Sequence, residues 1–585
     1  MNSVSVTGKK WILRKFDIND TKFIKDNFLL DEITSKLLSI RKIEKKDINN
    51  FLNPLLKNNL PNPNILKDMS KAVERTYKSI NEDDTIGIFG DYDVDGATST
   101  ALLSNYFRKI KKKIEIYIPD RKNEGYGPNV KGFKKFIDLK IKLIFTVDCG
   151  TLSFEPIKFA KSMNIDVIIL DHHQSEVNLP EAYSIVNPNR IDDSSNLNYL
   201  CAAGVCFMFL IGLNKKLRDS EWFIKNNIEE PNLLEFLDLV SLGTICDVVP
   251  LVGLNRAIVS QGLKVMKLKK NLGLKTLIDM CQILSNPAPF HLGYILGPRI
   301  NAGGRVGKCS HGANLLINND PKETFKIALE LNEYNKERQS LEKNLLNQVL
   351  NTAEKYSNDP VLILHGNNWH EGIIGIVAAR LKDKFKKPTI IISVNNNLGK
   401  ASARSIVGFD IGALIIAGVQ KEILIKGGGH KMAGGFSIEI SKIQEFKKFI
   451  FKKFRSTNID IAKEKTLYID LEIAPSALNI DFYSKINKLS PFGSGNPEPR
   501  FSIENVRPIN SKIVADKHIK SVLLSADGTT IDSIAFNATD NELGAYLLKK
   551  NKKTFNIVGK LSLNEWKGKK KVEFIIDDIS VNKNN

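Results

Sequence analysis

Short apolar runs alternate with helix-like segments from residue 84 onward. The runs TIGIFG, IEIYIP, KLIFTVD and DVIILD each have the length of a buried strand. The segments between them, such as ATSTALLSNYF and VKGFKKFIDL, carry apolar residues at helical spacing. This alternation predicts a doubly wound α/β sheet, and we assign residues 81–320 to a catalytic α/β domain.

Residues 321–357 have no internal glycine or proline and carry apolar residues at helical spacing among charged ones. The pattern predicts one long connecting helix. A second alternating unit follows at 358–460, with the strand-like runs VLILHG and TIIISV and the glycine cluster IKGGGHKMAGGF. We therefore predict a second, smaller α/β domain.

The two ends of the chain have different patterns. Residues 1–80 read as short helices punctuated by proline. Residues 465–585 are rich in short strands and contain an Asp527-Gly528 hairpin signal, which suits an OB-like barrel. The predicted fold class is α/β, with two α/β lobes joined by a long helix and a C-terminal OB-like β-barrel.

Composition narrows the functional classes. The chain has 585 residues, 42% of them hydrophobic and 26% charged, which predicts several packed domains rather than disorder. The formal charge of +20 suits a polyanion such as nucleic acid, although a composition rich in Lys, Asn and Ile raises the charge of any protein. The six cysteines form no C-x-x-C pair and read as reduced thiols. With no apolar signal or membrane span in the sequence, we expect a cytoplasmic protein.

Acidic and imidazole side chains recur at the ends of the predicted elements in the first α/β domain. Open parallel sheets bind ligands beyond the carboxyl ends of their strands, so we expect these side chains to share one crevice. Three groups follow strands and one follows a helix: Asp91, Asp93 and Asp95; Asp148; Asp171, His172 and His173; and Asp247.

Carboxylates and imidazoles together suit Mn²⁺ or Mg²⁺, and the nitrogen ligands favour Mn²⁺. Two such ions about 3.5 to 4 Å apart would support hydrolysis of a phosphodiester. Each group alone has a simpler explanation as a turn, a helix cap or a core histidine. The occurrence of all four groups in this order favours the metal site.

The same residues resemble the DHH phosphoesterase superfamily. Residues 171–173 are its DHH signature, and DYDVDG, DCG and LGTICDVVPL are similar to its other core motifs. The resemblance implies two divalent ions: Asp95, Asp148, His172 and Asp247 would hold one, and Asp93 with a bridging Asp148 the other. It implies support or transition-state roles for Asp91, Asp171 and His173, and DHH-type and DHHA1-type lobes.

Three further runs resemble the RecJ branch of this superfamily: LGPRINAGGRVG, WHEGIIGIVAARL and PFGSGNPEPRF. Gly303 stands where the family commonly has alanine. Arginine and glycine suit a pocket for a terminal 5′ phosphate, although tight turns and structural ion pairs are alternatives. The candidate substrate-binding residues are Arg299, Asn301, Arg305, Ser402, Arg404, His430 and His370.

The RecJ resemblance implies a 5′ to 3′ exonuclease for single-stranded DNA in repair and recombination, with single-strand-binding protein and a RecQ-type helicase as partners. A slot between the lobes, too narrow for duplex, is a hypothesis from architecture. Trp566 and the lysines of EWKGKKK either contact a strand or form a solvated hairpin. The alternatives are a DHH enzyme for short oligonucleotides or cyclic dinucleotides, and a non-catalytic scaffold.

Overall fold

The computed structural model describes residues 5–457, 466–549, 554–566 and 569–581. The chain divides into two compact units. One unit combines residues 1–58 with residues 460–585, and the other spans residues 59–459. The candidate site lies wholly within the second unit.

The N-terminal segment contains one strand and four short helices. Asp17 and Asp31 cap the first two helices by accepting hydrogen bonds from Asp20 N and Thr34 N. Residues 1–80 are predicted as a separate segment, but residues 1–58 belong to the unit of the C-terminal β domain. The elements are β1 (Lys10–Leu13), α1 (Ile18–Phe28), α2 (Glu32–Ile40), α3 (Ile48–Leu52) and α4 (Leu56–Asn59).

The first α/β lobe is built on a five-stranded, all-parallel sheet of order β3-β2-β4-β5-β6. Its central strands β2 and β4 are buried along their whole length because helices cover both faces. The strands are β2 (Ile86–Gly90), β3 (Ile114–Tyr117), β4 (Leu143–Val147), β5 (Asp166–Leu170) and β6 (Ser184–Val186), and the helices are α5 (Met69–Asn81), α6 (Val94–Lys109), α7 (Val130–Asp138) and α8 (Phe154–Ser162).

Seven helices complete this lobe. A π-helical segment, His291–Leu296, leads directly into α14. The helices are α9 (Ala202–Asp219), α10 (Trp222–Lys225), α11 (Leu237–Cys246), α12 (Gly253–Lys267), α13 (Leu272–Met280), α14 (Gly297–Val306) and α15 (His311–Ile317). Short 3-10 turns occur at Lys45–Asp47, Pro63–Ile65, Leu233–Phe236, Ile440–Lys442 and Pro475–Ala477.

The predicted connecting helix is present as α16, Pro321–Lys355. Asp320 caps it by accepting from Lys322 N and Glu323 N, and Pro321 occupies its first turn, where a missing N–H is harmless. Its apolar stripe packs on both lobes: Ile327 and Leu331 lie in the core of the first, and Leu345 in that of the second.

The second lobe is a five-stranded mixed sheet of order β10-β11-β9-β8-β7. The glycine cluster forms the antiparallel hairpin of β10 and β11, in which Gly428 pairs with Gly435. The elements are β7 (Leu362–Asn367), α17 (Glu371–Phe385), β8 (Thr389–Asn395), β9 (Leu398–Arg404), α18 (Ile411–Gln420), β10 (Lys426–His430), β11 (Ala433–Glu439) and α19 (Ile443–Arg455).

The C-terminal domain is a closed β structure. Its sheet runs β13-β14-β15-β16-β18-β17, and pairing between β14 and β17 closes the circle. The predicted hairpin is present, with Gly528 at a φ of 84°. The elements are β12 (Thr466–Ile469), β13 (Leu471–Glu472), α20 (Ile480–Asn487), β14 (Phe501–Val514), β15 (His518–Ser525), β16 (Thr530–Ala535), α21 (Glu542–Leu548), β17 (Phe555–Trp566) and β18 (Lys569–Val581).

The predicted fold class is therefore confirmed: two α/β lobes, a long helix and an OB-like barrel are all present. The side chain of Trp566 and residues 567–568 lie outside the described residues, so the proposed strand contact in EWKGKKK stays a prediction. Within the described ranges, no helix combines the length and apolarity that crossing a bilayer requires.

Candidate metal centre and phosphate pocket

Three acidic residues follow neighbouring strands of the first sheet at their carboxyl ends. Asp91 follows β2, Asp148 follows β4 and Asp171 follows β5, and these strands are adjacent in the parallel sheet. All three carboxylates are buried. Asp148 has a φ of 60°, in the left-handed region, which turns the chain sharply as it leaves β4. The strand ends thus bring these carboxylates to one edge of the sheet.

The D-x-D-x-D-G run places two more carboxylates at the first turn of α6. Asp93 is the N-cap, and its Oδ1 accepts hydrogen bonds from Asp95 N (2.9 Å) and Gly96 N (3.1 Å). Asp95 accepts from the first amides of α9, Ala202 N at 2.6 Å and Ala203 N at 3.0 Å. A Cβ on Gly96 would lie 2.5 Å from the Asp91 carbonyl oxygen, so this turn requires glycine.

One imidazole nitrogen, His172 Nε2, faces three carboxylates. It lies 3.3 Å from Asp148 Oδ1, 3.6 Å from Asp247 Oδ2 and 3.8 Å from Asp95 Oδ2. Asp247 reaches the group as the C-cap of α11. Ligand atoms bound about 2.0 to 2.2 Å from a common divalent ion lie about 3 to 4 Å from one another. The four side chains therefore have the spacing of a metal-binding set.

A second candidate group shares Asp148 with the first. It consists of Asp91, Asp93 and Asp148, whose nearest ligand atoms all lie within 4.8 Å of one another. Asp91 Oδ1 is buried and has no hydrogen-bond partner among the described residues. A buried carboxylate oxygen without a donor is costly unless a cation satisfies it.

The electrostatics fit divalent cations. Burial and the nearby charge of Asp93 raise the pKa of Asp148 well above its ordinary value. Burial and neighbouring carboxylates raise the pKa of Asp95 to about 6 and that of Asp247 to about 9. Burial, together with the charge of His173, lowers the pKa of His172 to about 4, which leaves its ring neutral and able to bind a metal. Bound cations would supply the charge that these carboxylates otherwise lack.

Asp171 has a different environment from the other carboxylates. It accepts hydrogen bonds from both the amide and the hydroxyl of Thr151, from the amides of His172 and His173, and from His173 Nδ1 at 2.7 Å. Burial opposes its ionisation, but the charge and hydrogen bond of His173 outweigh burial and hold its pKa below the ordinary value. This carboxylate orients and charges the His173 ring.

His173 has the opposite shift. Burial alone would lower its pKa, but Asp171 raises the pKa of His173 to about 9. Its ring stacks on His430 with centroids 5.6 Å apart, so a residue of the second lobe lies against the first lobe's site. The hydroxyl of Tyr126 lies 3.4 Å from His173 Nε2 and donates to the Asp148 carbonyl oxygen at 2.8 Å.

A cavity of about 250 Å³ adjoins the second metal group. Seven residues line it: four from the predicted set, Asp91, Asp93, Asn301 and Arg305, and three others, Tyr92, Arg121 and Tyr126. Asn301 Oδ1 accepts from Val94 N at 3.1 Å, so this residue also holds the start of α6. The cavity thus joins acidic metal-type ligands on one side to guanidinium groups on the other.

The guanidinium groups are close enough to repel one another. Burial and the charges of Arg121, Arg338 and Arg404 lower the pKa of Arg305 to about 10. Burial and Arg121 also lower the pKa of Arg404, whose Nη1 donates to Ser402 Oγ at 3.2 Å. Clustered cations beside a cavity favour an anion, and a phosphate matches the geometry of their paired N–H groups.

Other predicted residues serve the surrounding structure. Arg299 donates to Asn332 Oδ1 (3.0 Å) and to the Ile295 carbonyl (2.7 Å), so it links α14 to α16. His370 is the N-cap of α17, and its Nδ1 accepts from Gly372 N at 3.2 Å. Neither side chain is among those that line the cavity.

Three residues that shape the site, Arg121, Tyr126 and Asn187, are not among those predicted from the sequence. Arg121 and Tyr126 follow β3, and Asn187 follows β6, so the strand-end argument applied to acids would also have found them. Asn187 Nδ2 donates to Thr151 Oγ1 and to the His173 carbonyl. Gly125 and Gly127, which both have positive φ, flank Tyr126 and are the sequence signal that predicts its loop.

Comparison with known proteins identifies the domains of the chain. Three family models match: the DHH family N-terminal domain over residues 85–244, the DHHA1 domain over 358–456 and the RecJ OB domain over 469–578. The crystal structure of RecJ in complex with Mn²⁺ from Thermus thermophilus aligns with a TM-score of 0.80 and 24% identity, covering 98% of this chain and 80% of that one.

Two curated relatives carry the name single-stranded-DNA-specific exonuclease RecJ. The Escherichia coli protein is 32% identical over 88% of this chain and 90% of its own length. The Bacillus subtilis protein is 30% identical over 98% of this chain and 71% of its own length. At this identity and coverage, over all three domains, the chain belongs to the RecJ family.

Proposed function

We propose that this chain is a metal-dependent exonuclease that hydrolyses phosphodiester bonds of single-stranded DNA from 5′ to 3′ with two divalent ions. The observation that carries the proposal is the pair of ligand groups joined at Asp148. The names of the relatives support the substrate, and the Mn²⁺ and Mg²⁺ complexes of the Thermus protein support the metals.

The ligands divide between two ions. Asp95, His172 and Asp247 would hold the first ion, together with Asp148. Asp93 would hold the second ion, with Asp148 as the bridge. The orphaned Oδ1 of Asp91 supports this residue as a further ligand of the second ion, beyond the supporting role that the family resemblance implies.

The bound ions would activate water as the nucleophile and stabilise charge on the attacking and leaving oxygens. His173 would donate a proton or hydrogen bond from Nε2 to a non-bridging phosphate oxygen, since its Nδ1 is engaged by Asp171. A protonated ring cannot bind a metal, so we assign His173 this donor role even though it lies near Asp148 and His172.

The arginine cluster supports the proposed 5′ to 3′ direction of hydrolysis. Arg121 and Arg305, which line the cavity beside the second ion, would bind a terminal 5′ phosphate there. Arg404, with Ser402, would add to the positive charge around it. Hydrolysis of the adjacent phosphodiester would then release a 5′ mononucleotide in each cycle. His430 stacks on the proton donor and would hold its ring in place.

The family suggests the biological setting. We propose a role in DNA repair and recombination in the cytoplasm, with single-strand-binding protein and a RecQ-type helicase as partners. An enzyme restricted to short oligonucleotides or cyclic dinucleotides would use the same metals, but the OB domain over residues 469–578 favours longer strands.

Single strands labelled at either end test the proposal. We expect mononucleotides from the 5′ end in Mn²⁺, faster release from 5′-phosphorylated than 5′-hydroxyl ends, little attack on blunt duplex, and no reaction after chelation. Degradation from the 3′ end, or undiminished activity in chelator, would contradict it. A cyclic dinucleotide cleaved faster than a long strand would favour the alternative.

A further inference from the structure

Two exposed aromatic side chains flank the start of the π-helical segment that precedes α14: Phe290 is its N-cap residue, and Tyr294 lies within it. Phe290 is 59% exposed and Tyr294 is 74% exposed. Their rings stack with centroids 5.2 Å apart and planes inclined by 24°. Although the two rings stack on each other, much of their apolar surface remains in water. An exposed pair of aromatic rings is unusual unless a partner covers it.

The backbone beneath the two rings is a π-helical turn. The Gly297 amide donates to the Leu292 carbonyl five residues earlier, which widens the turn relative to an α-helix. π-Helical turns occur often at functional sites, because the wider turn is kept only where a role offsets its cost.

The segment is packed against the end of a helix that carries a proposed metal ligand. Cys246 Sγ lies 3.4 Å from the Leu292 carbonyl, and a Cβ on Gly297 would lie 2.4 Å from the same sulfur. The next residue after Cys246 is Asp247. The aromatic pair therefore sits on a backbone that is held against the last turn of α11, next to the metal centre.

The segment also leads into the phosphate-binding side of the site. The Ile295 carbonyl accepts from Arg299, and α14 continues to Asn301 and Arg305, which line the cavity. The stacked pair thus lies between two stretches that we assign to metal and phosphate binding. A strand whose phosphate occupies the cavity has its bases free to meet a neighbouring surface.

The residues assigned so far bind metals and phosphate, and none of them reads a base. An enzyme that accepts any sequence can hold bases by their faces, because every base has a π surface that stacks on aromatic rings. Stacking also requires a base that is unpaired. This requirement would separate single strands from duplex.

From this geometry we propose that Phe290 and Tyr294 form a stacking platform for one unpaired base of the bound strand and thereby contribute to single-strand specificity. The inference rests on the proposed nuclease function. Stacking on such a platform changes affinity by roughly 5- to 100-fold per base. Because the contact is present in both bound and transition states, its loss raises KM more than it lowers kcat.

The test uses the full-length protein, Mn²⁺ and an oligothymidylate with a 5′ phosphate. We expect Tyr294→Ala and the Phe290→Ala/Tyr294→Ala double variant to raise KM by roughly 5- to 100-fold with kcat largely kept. Tyr294→Trp should restore binding. Phe325→Ala removes a comparably exposed ring (57%) from α16 and serves as the matched control, with KM unchanged.

A second measurement reads stacking directly. In chelator, strands with 2-aminopurine at successive positions should show a fluorescence change at one position on binding, and this change should vanish in Tyr294→Ala but persist in Phe325→Ala. An abasic site at that position should raise KM for the wild type but not for Tyr294→Ala.

The outcomes separate this inference from the nuclease assignment. A wild-type protein that fails to degrade single strands in Mn²⁺ would overturn the proposed function. A wild-type protein that is active, while the double variant keeps its KM and its 2-aminopurine signal, would overturn the stacking platform alone. Equal loss of kcat on all substrates, unrescued by Tyr294→Trp, would also overturn it, because it would indicate a structural role.

Discussion

Replacing Asp247 with asparagine should stabilise the metal-free protein and weaken its response to metal. Asp247 belongs to the carboxylate cluster around His172, and burial with the charges of Asp95 and Asp93 raises its pKa to about 9 from 3.8. Because the folded pKa is raised, the folded state is favoured at low pH and loses stability as pH rises from 3.8 toward 9. A neutral asparagine escapes this loss.

The magnitude follows from that pKa. Each pH unit above the ordinary pKa of aspartate costs the folded state about 1.4 kcal/mol, until the raised pKa is reached. At pH 8 the loss of folding free energy therefore approaches about 6 kcal/mol. The Asp247 side chain is 25% exposed, and solvent screening reduces the cost, so we expect a gain of about 2 to 4 kcal/mol for Asp247→Asn in chelator. For a unit of about 400 residues, this corresponds to an increase in Tm of roughly 2 to 5 °C.

The assay is thermal unfolding at pH 5 and pH 8, in chelator and in Mn²⁺. Wild type should gain much more stability from Mn²⁺ at pH 8 than the variant does, because a ligand that binds only the folded state stabilises it. Asp238→Asn is the matched control. It lies on the same helix, and burial raises its pKa to about 7, so it should gain stability at pH 8 while keeping the full Mn²⁺ response.

Two results would refute this reasoning. The first is an Asp247→Asn protein that is less stable than wild type in chelator at pH 8. The second is a variant whose Mn²⁺-induced rise in Tm equals that of wild type.

Three further predictions concern activity. Asp171→Asn should lower the pKa of His173, and because the protonated ring is the donor, the alkaline limb of kcat/KM should move from near 9 to lower pH; an unchanged limb would contradict the pairing. Arg305→Ala should reduce the preference for 5′-phosphorylated over 5′-hydroxyl ends by roughly 10- to 100-fold, whereas Arg299→Ala, whose guanidinium is already bonded, should change it little. Affinity for single strands should fall steeply with salt, as phosphate contacts require, and a salt-independent Kd would argue against a basic binding surface.

The first lobe could be predicted from local patterns because its strands are continuous apolar runs and its site residues follow strand ends. That rule predicts that Asp91, Asp148 and Asp171 share one crevice, as they do in the structure. The same rule overlooked Arg121 and Asn187, since it was applied only to residues that bind metals.

The rest of the site depends on contacts between distant segments. His430 and Arg404 reach the first lobe only through tertiary packing, which no spacing in the sequence encodes. His370 is a substrate-binding candidate because it lies in a run that resembles RecJ, but its position before α17 makes it a helix cap. No sequence pattern marks Tyr294 as a functional residue, because isolated aromatic residues are common in any sequence.

The pairing of the chain's two ends was equally hidden. β1 pairs in parallel with β12, with Trp11 opposite Leu467, and Trp11 Nε1 donates to Asp578 at 3.0 Å. A strand of four residues has no sequence pattern that identifies a partner strand more than 450 positions away. Parallel strands are not joined by a hairpin turn, so no turn sequence indicates that they pair.

The stoichiometry of Mn²⁺ binding tests the central claim most directly. Titration calorimetry on the metal-free, full-length protein should find two Mn²⁺ ions per chain for wild type. Asp148→Ala, which removes the shared ligand, should lose high-affinity binding at both sites while keeping a folded, cooperative melt. A wild-type protein that binds one ion or none, or an Asp148→Ala protein that still binds two ions tightly, would contradict the account.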